Sequence, residues 1–283
     1  MKQLMPNDRA AITRFTVGTS LLFVAWRMLA GLSLLQLQQP TIFRTDADFS
    51  YWSLKVFGIA DLLISNHIAA VAFTIIFIGS GLLLVFFTRK IIFAWIFASG
   101  YFVYSILINL YACHSMHYMA GFSIILFAFC AKKDEQFFLS WELMRYFICF
   151  MYSMVFLMKL INGAFADWDS GYVFFQGNIT EYLYHNQGTI SGNIYQWFLL
   201  HPFIVNVGAK FIFLLEGLFF IGLFTKRFDS LLIVASLLIF LSTYFFVDVF
   251  FAELLFAVIS PLIGGRFWKR FSIKNKDFYK ALN

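Results

Sequence analysis

Apolar residues run in blocks along this chain, and short charged clusters separate the blocks. The pattern predicts membrane helices over about residues 17–37, 68–87, 91–112, 118–131, 145–161 and 203–224. Each block approaches or reaches the roughly 20 residues that a bilayer requires. A further apolar run over residues 231–263 is longer than one span needs, and splits near Phe246-Val247-Asp248 into a seventh and a shorter eighth span. Residues 41–66 mix Trp52, Val56, Phe57 and Leu62 with Arg44, Asp46, Asp48, Lys55 and Asp61, a pattern for an amphipathic segment on the membrane surface. Residues 162–201 read as a long polar loop. The expected fold is therefore an all-α transmembrane bundle of about eight spans over residues 1–265, followed by a basic tail over 266–283.

The composition supports this class. Of 283 residues, 61% are hydrophobic and 13% charged, and the mean hydropathy is +0.79, outside the range of soluble domains. The start, MKQLMPNDRAAITRF, lacks a signal-peptide pattern, so the first apolar run is expected to be retained. The net charge of +6 is spread over short loops beside apolar spans and implies no nucleic-acid partner. With the N-terminus inside, sixteen of the 21 lysines and arginines fall on the cytoplasmic side and only Arg44 and Lys55 outside. That distribution follows the positive-inside rule and places both termini of the eight-span chain in the cytoplasm. Cys113, Cys130 and Cys149 have no paired spacing and suggest neither a disulfide framework nor a thiolate metal site.

Six ionisable residues interrupt the apolar runs: Arg27, Lys159, Lys210, Glu216, Asp248 and Glu253. A charge at mid-bilayer costs about 2.5–3.5 kcal/mol on insertion scales, so such residues face one another or a wet cavity. Lys159 closes the stretch that starts at Arg145. Two readings stand for it: its stem lies along hydrocarbon while the ammonium reaches the interface, or a dry pocket holds a free amine able to act as a base. Lys210 falls roughly 10 Å below the outer start of its span, at about 1.5 Å per residue. In this orientation Lys159, Lys210, Asp248 and Glu253 share the outer half with His114 and His117, which suggests a polar cavity opening outward. The alternative is purely structural pairing, Arg27 with Glu216 and Lys210 with Glu253. His114 and His117, three apart, lack an obvious third ligand and favour hydrogen bonding over a metal.

Several segments together resemble the HTTM domain, the membrane domain shared by vitamin K-dependent γ-carboxylases and their bacterial relatives. Arg27 and Gly31 are similar to an R-x-x-x-G pattern, and Gly79 and Gly81 followed by Arg89 to a glycine-bearing helix that ends in arginine. The His114–Tyr118 turn resembles an N-x-H-x-Y region, with either His114 or His117 as the counterpart of its histidine. Arg145, Tyr152, Lys159-Leu160, Asp167-Trp168 and Gly171-Tyr172 follow the order R…Y…KL…DW…GY. The resemblance covers roughly residues 20–175.

It implies Lys159 as a base toward a lipoquinone (a vitamin K-like hydroquinone). His114, His117 and Lys210 join Lys159 as candidate catalytic residues. Arg27, Arg145, Tyr152, Trp168, Glu216, Asp248 and Glu253 are candidate pocket residues. This chain has Met158-Lys159 where the carboxylases carry adjacent lysines, and after the eighth span only RFWKRFSIKNKDFYKALN, without their extracytoplasmic domain. Membrane-only members of the group are similar to the sporulation-delaying toxin maturation protein and act with a partner on a secreted peptide. The resemblance thus implies a protein of the bacterial inner membrane that assists modification or maturation of an exported peptide, with a soluble partner. A transporter and a non-catalytic membrane scaffold remain as alternatives.

Overall fold

Asn66 sets the start of the first long apolar helix: its side-chain oxygen accepts the Ala69 N–H at 3.1 Å and caps His67–Phe86. In the computed structural model, residues 6–29, 31, 33–36, 49–111, 118–247, 252–264 and 267–268 are described, and among them the regular elements are all helical, with no strands. Among the described residues four stretches are long and apolar enough to cross a bilayer: His67–Phe86, Ile91–Ile108, Asp134–Ile161 and Pro202–Phe224. Their outward side chains include Ile75, Ile76, Leu83, Trp95, Leu143, Phe150, Met154, Phe211 and Leu214, all exposed. Apolar surface of that extent is what a lipid-facing helix presents and what a soluble one avoids.

The chain divides into two compact units, Met1–Met144 with Ala252–Asn283, and Arg145–Phe251. The first unit contains α1 (Pro6–Leu29), α2 (Phe49–Val56), α3 (Ile59–Ser65), α4 (His67–Phe86), α5 (Ile91–Tyr111) and α6 (Tyr118–Ser123), which continues as a 3-10 turn, Ile124–Cys130. The opening turns of α7 (Asp134–Ile161) also belong to it. Phe77 of α4 stacks on Phe97 of α5 at 5.5 Å, and Thr16 of α1 donates to Ser260 Oγ at 2.9 Å. Buried Arg9 ties α1 to the start of α7, donating to Asp134 Oδ1 at 3.1 Å and to the Ala131 carbonyl at 2.6 Å.

The second unit contains the rest of α7, then α8 (Ser170–His185), α9 (Ile190–Leu199), α10 (Pro202–Gly217), α11 (Phe219–Phe224) and α12 (Asp229–Val247). Its apolar centre is Phe175, Ile179, Tyr195 and Val205, against which Tyr172, Phe198 and Phe245 pack.

Several boundaries move from the sequence reading. The first helix starts at Pro6 and ends at Leu29, which puts Arg27 in its last turn rather than at its middle. Asp8, Arg9, Thr13 and Thr16, which precede the predicted span, are buried, so this polar start packs inside the unit. α7 begins at Asp134, eleven residues before Arg145, because Phe137 and Trp141 bury while Glu135 and Glu142 sit on other faces. Residues 162–201, read as a loop, form α8 and α9. α12 ends at Val247 and α13 (Ala252–Ile259) follows in the first unit. Trp268, from the segment read as tail, is buried and meets Phe15 edge-on at 5.5 Å.

Candidate functional site

The candidate site forms where α7 ends and α8 begins, beside one face of α10. α7 stops because Gly163 adopts φ +74, a left-handed conformation that suits glycine, and the Asp167 N–H closes the turn on the Gly163 carbonyl at 2.9 Å. Asp167 Oδ1 accepts the Asp169 N–H at 3.1 Å, and the Ser170 hydroxyl bonds the Ala164 and Asp167 carbonyls at 2.8 and 2.9 Å. The Asp167–Tyr172 segment is thus a built reversal.

α10 reaches into this reversal with two polar side chains one turn apart. Buried Asn206 accepts the Tyr172 N–H at 2.7 Å and donates to Asp169 Oδ1 at 3.1 Å. Lys210 Nζ donates to the Ala164 and Asp167 carbonyls, and to Ser170 Oγ at 3.2 Å. An ammonium carries three N–H donors, and these acceptors take all three. Gly171 permits the approach: a Cβ there would lie 2.5 Å from the Ala209 Cβ. By its place on α10, Lys210 lies about 12 Å along the helix from Pro202. A non-helical turn beside two helices long and apolar enough to span a bilayer needs protein groups to satisfy its backbone, and Asn206 and Lys210 supply that satisfaction.

Further along α10, Glu216 is buried, and the Lys159 ammonium from the last turn of α7 donates to both its carboxylate oxygens, at 2.7 and 2.8 Å. The Lys159 side chain keeps 32% of its surface exposed, against 6% for Glu216. Phe213 joins the two lysines: Lys159 Nζ lies 4.4 Å and Lys210 Nζ 5.8 Å from its ring centroid. Both are cation–π distances. Lys159 and Lys210 therefore meet at one ring, and Glu216 joins them through Lys159.

The pairings differ from those expected. Glu216 takes Lys159, because the last turn of α7 brings residue 159 alongside it. Lys210 takes the Ala164 and Asp167 carbonyls. Arg27 is buried in the first unit. Arg145 is buried about 21 Å back along α7 from Lys159, where it grips Asp229 through Nη2 at 2.6 Å and Nε at 3.0 Å and the Thr225 carbonyl at 3.0 Å. It is a helix clamp away from the lysines. Tyr152 stacks on Phe219 at 4.3 Å, and exposed Trp168 packs on Phe203 at 5.7 Å. His114, His117 and Asp248, and the side chain of Glu253, lie outside the described residues.

Asn206, Phe213, Ser170 and Asp229 were missed by the sequence reading. Asn206 had a signal, as an amide one helical turn before a lysine inside an apolar run. Among the described residues no three His, Cys, Asp or Glu group as metal ligands.

This donor set can hold a ligand oxygen. Two donors of Lys159 serve Glu216 and the third can meet a carboxylate or carbonyl brought to its exposed side. A base toward a lipoquinone needs an amine with an available lone pair. As arranged, Lys210 serves three acceptors of the chain's own turn and Lys159 donates to Glu216, and no step through a quinone follows from this arrangement. Comparisons with protein families, with characterised proteins and with solved structures found no match.

Proposed function

We propose that this chain is an eight-span HTTM-like protein of the bacterial inner membrane, with both termini in the cytoplasm and the Lys159–Glu216 site open to the outer side. In this reading it assists the modification or maturation of an exported peptide, together with a soluble partner. Lys159 supplies a fixed positive charge to a carboxylate or carbonyl oxygen of that peptide, and Glu216 and Phe213 hold the amine in place. The observation that carries the reading is Lys159 itself: in an apolar unit it is ion-paired on one side and a third exposed on the other. The order of the Arg145–Tyr172 residues and the crowding of basic residues at one set of loops support the family and the orientation.

The test compares exported peptides, by mass spectrometry, from cells that lack the chain and cells that carry the wild type, Lys159→Ala or Lys159→Arg, with each protein's membrane level measured by immunoblot. Loss of the chain should change the mass or amount of at least one exported peptide, and Lys159→Ala should fail to restore it at a normal membrane level. An exported peptide set indifferent to the chain's removal would sink the reading. Lys210 favours a second one, a non-catalytic scaffold, since all three of its donors are spent on the chain's own turn. Under that reading Lys159→Ala changes the exported peptides only as far as it lowers the membrane level.

A further inference from the structure

The helix that precedes the fourth long span presents two different faces. On one, Gly192 and Tyr195 of α9 are buried, and Tyr195 and Phe198 pack into the unit's apolar centre. On the other, Ile190, Ile194, Trp197 and Leu200 are exposed at helical spacing. A shallow open hollow of about 330 Å³ runs along that face, lined by Ile190, Asn193, Ile194 and Trp197.

Three observations identify what covers this face. First, the helix that follows directly, α10, also exposes apolar side chains, Phe203, Ile204, Val207, Phe211 and Leu214. Second, residues 182–209 contain no Asp, Glu, Lys or Arg. A helix that faced water across this arc would show charges, whereas apolar side chains edged by Asn193 and Gln196 suit the boundary between headgroups and acyl chains. Third, the junction carries belt chemistry: Trp197 stacks on His201 at 4.1 Å, and the His201 Nδ1–H donates to the Trp197 carbonyl at 2.7 Å. Amphipathic rings collect at that depth of a bilayer.

We infer that α9 is a membrane-interface helix, lying in the bilayer surface with Ile190, Ile194, Trp197 and Leu200 set among the acyl chains next to the entry of α10. The occupant of the exposed face is lipid. The inference rests on α10 being a membrane span, so the test reports on α10 separately.

Single nitroxide labels are placed at positions 190, 194, 197 and 187, and at 211 in α10, in full-length protein whose three cysteines are replaced, reconstituted in nanodiscs. Collision with oxygen, which partitions into lipid, is compared with collision with a water-soluble nickel complex. The labels at 190, 194 and 197 should show an oxygen-to-nickel ratio several-fold above that at exposed position 187, with 211 the deepest. Nickel access at 190, 194 and 197 equal to that at 187, with 211 still in lipid, overturns the inference and leaves the span standing. Protection of 190, 194 and 197 from both reagents also overturns it, since a second copy or a partner protein then covers the helix. Nickel access at 211 removes the span itself. As a check that leaves the cysteines in place, emission from native protein should lose a component quenched by lipids brominated near the headgroup when Trp197→Phe is introduced. No such loss counts against the inference.

Discussion

The Lys159–Glu216 pair makes an asymmetric prediction, because its two members differ in their access to water. Removing Lys159 strands a carboxylate whose side chain is only 6% exposed, whereas removing Glu216 strands an amine that keeps 32% of its surface open. Breaking a buried pair from one side costs roughly 3–5 kcal/mol when the remaining charge stays buried. Lys159→Ala should therefore cost about 3 kcal/mol. A lysine at a helix end can instead swing its stem toward the interface, so Glu216→Ala should lose chiefly a charge-assisted bond, about 1.5 kcal/mol. Replacing both by apolar residues of similar volume, Lys159→Met with Glu216→Leu, should return to within about 1 kcal/mol of wild type. The assay is thermal unfolding of the purified full chain in mild detergent, read by size-exclusion recovery and tryptophan emission. At about 2–4 °C per kcal/mol, Lys159→Ala should lower the midpoint by roughly 6–12 °C and Glu216→Ala by about half as much or less. Equal losses from the two single variants, or a double variant no better than Lys159→Ala, would refute the geometry. The double variant also separates stability from function: stable protein that fails to restore the exported peptides assigns Lys159 a role beyond assembly.

Lys210→Met should loosen the reversal rather than the whole unit. It removes the ammonium from two carbonyls and a hydroxyl, with the Ser170 hydroxyl left as the donor shared by both carbonyls, at about 1–3 kcal/mol in all, and amide exchange should accelerate over residues 164–172 while α12 keeps its protection. Gly171→Ala should cost about 1–3 kcal/mol through the clash with Ala209, and adding Ala209→Gly should recover most of the lost midpoint. Arg9→Lys should destabilise the first unit nearly as much as Arg9→Ala. Two separate guanidinium nitrogens reach Asp134 and the Ala131 carbonyl, and a single ammonium on a shorter reach does not reproduce that fork. Proteolysis within residues 1–144 is the readout.

What the sequence reveals here depends on whether the cause of an element is local. α4 and α5 are legible almost to the residue, because a continuous apolar run is itself the reason a membrane helix forms. The start of α7 is less so. Glu135 and Glu142 lie among Phe137, Leu139 and Trp141, and a reading by charge breaks a helix that a reading by face would have kept. α8 and α9 were hidden for another reason. Their Asn, Gly and Gln content reads as loop, but the N-terminus of α8 is held by Asn206, whose bond to Tyr172 spans 34 positions, and no local window contains both residues. The sequence offers Glu216 a choice of cations, since position along a span does not determine azimuth, and the last turn of α7 gives the carboxylate to Lys159.

The two lysines also show why a cation in an apolar run does not by itself mark chemistry. Both looked alike in sequence, and both lie within cation–π reach of Phe213. Their donor counts separate them. Lys210 spends every N–H on the chain's own backbone and Ser170, which the reversal requires whatever else the protein does. Lys159 spends two on a carboxylate and keeps an open side, so it alone of the pair can add a ligand without unmaking a turn. The candidate site in this chain therefore narrows to one amine, and the contrast between Lys159 and Lys210 variants decides it: loss of order in the turn without loss of Lys159's exposed donor on one side, and loss of that donor with the turn intact on the other.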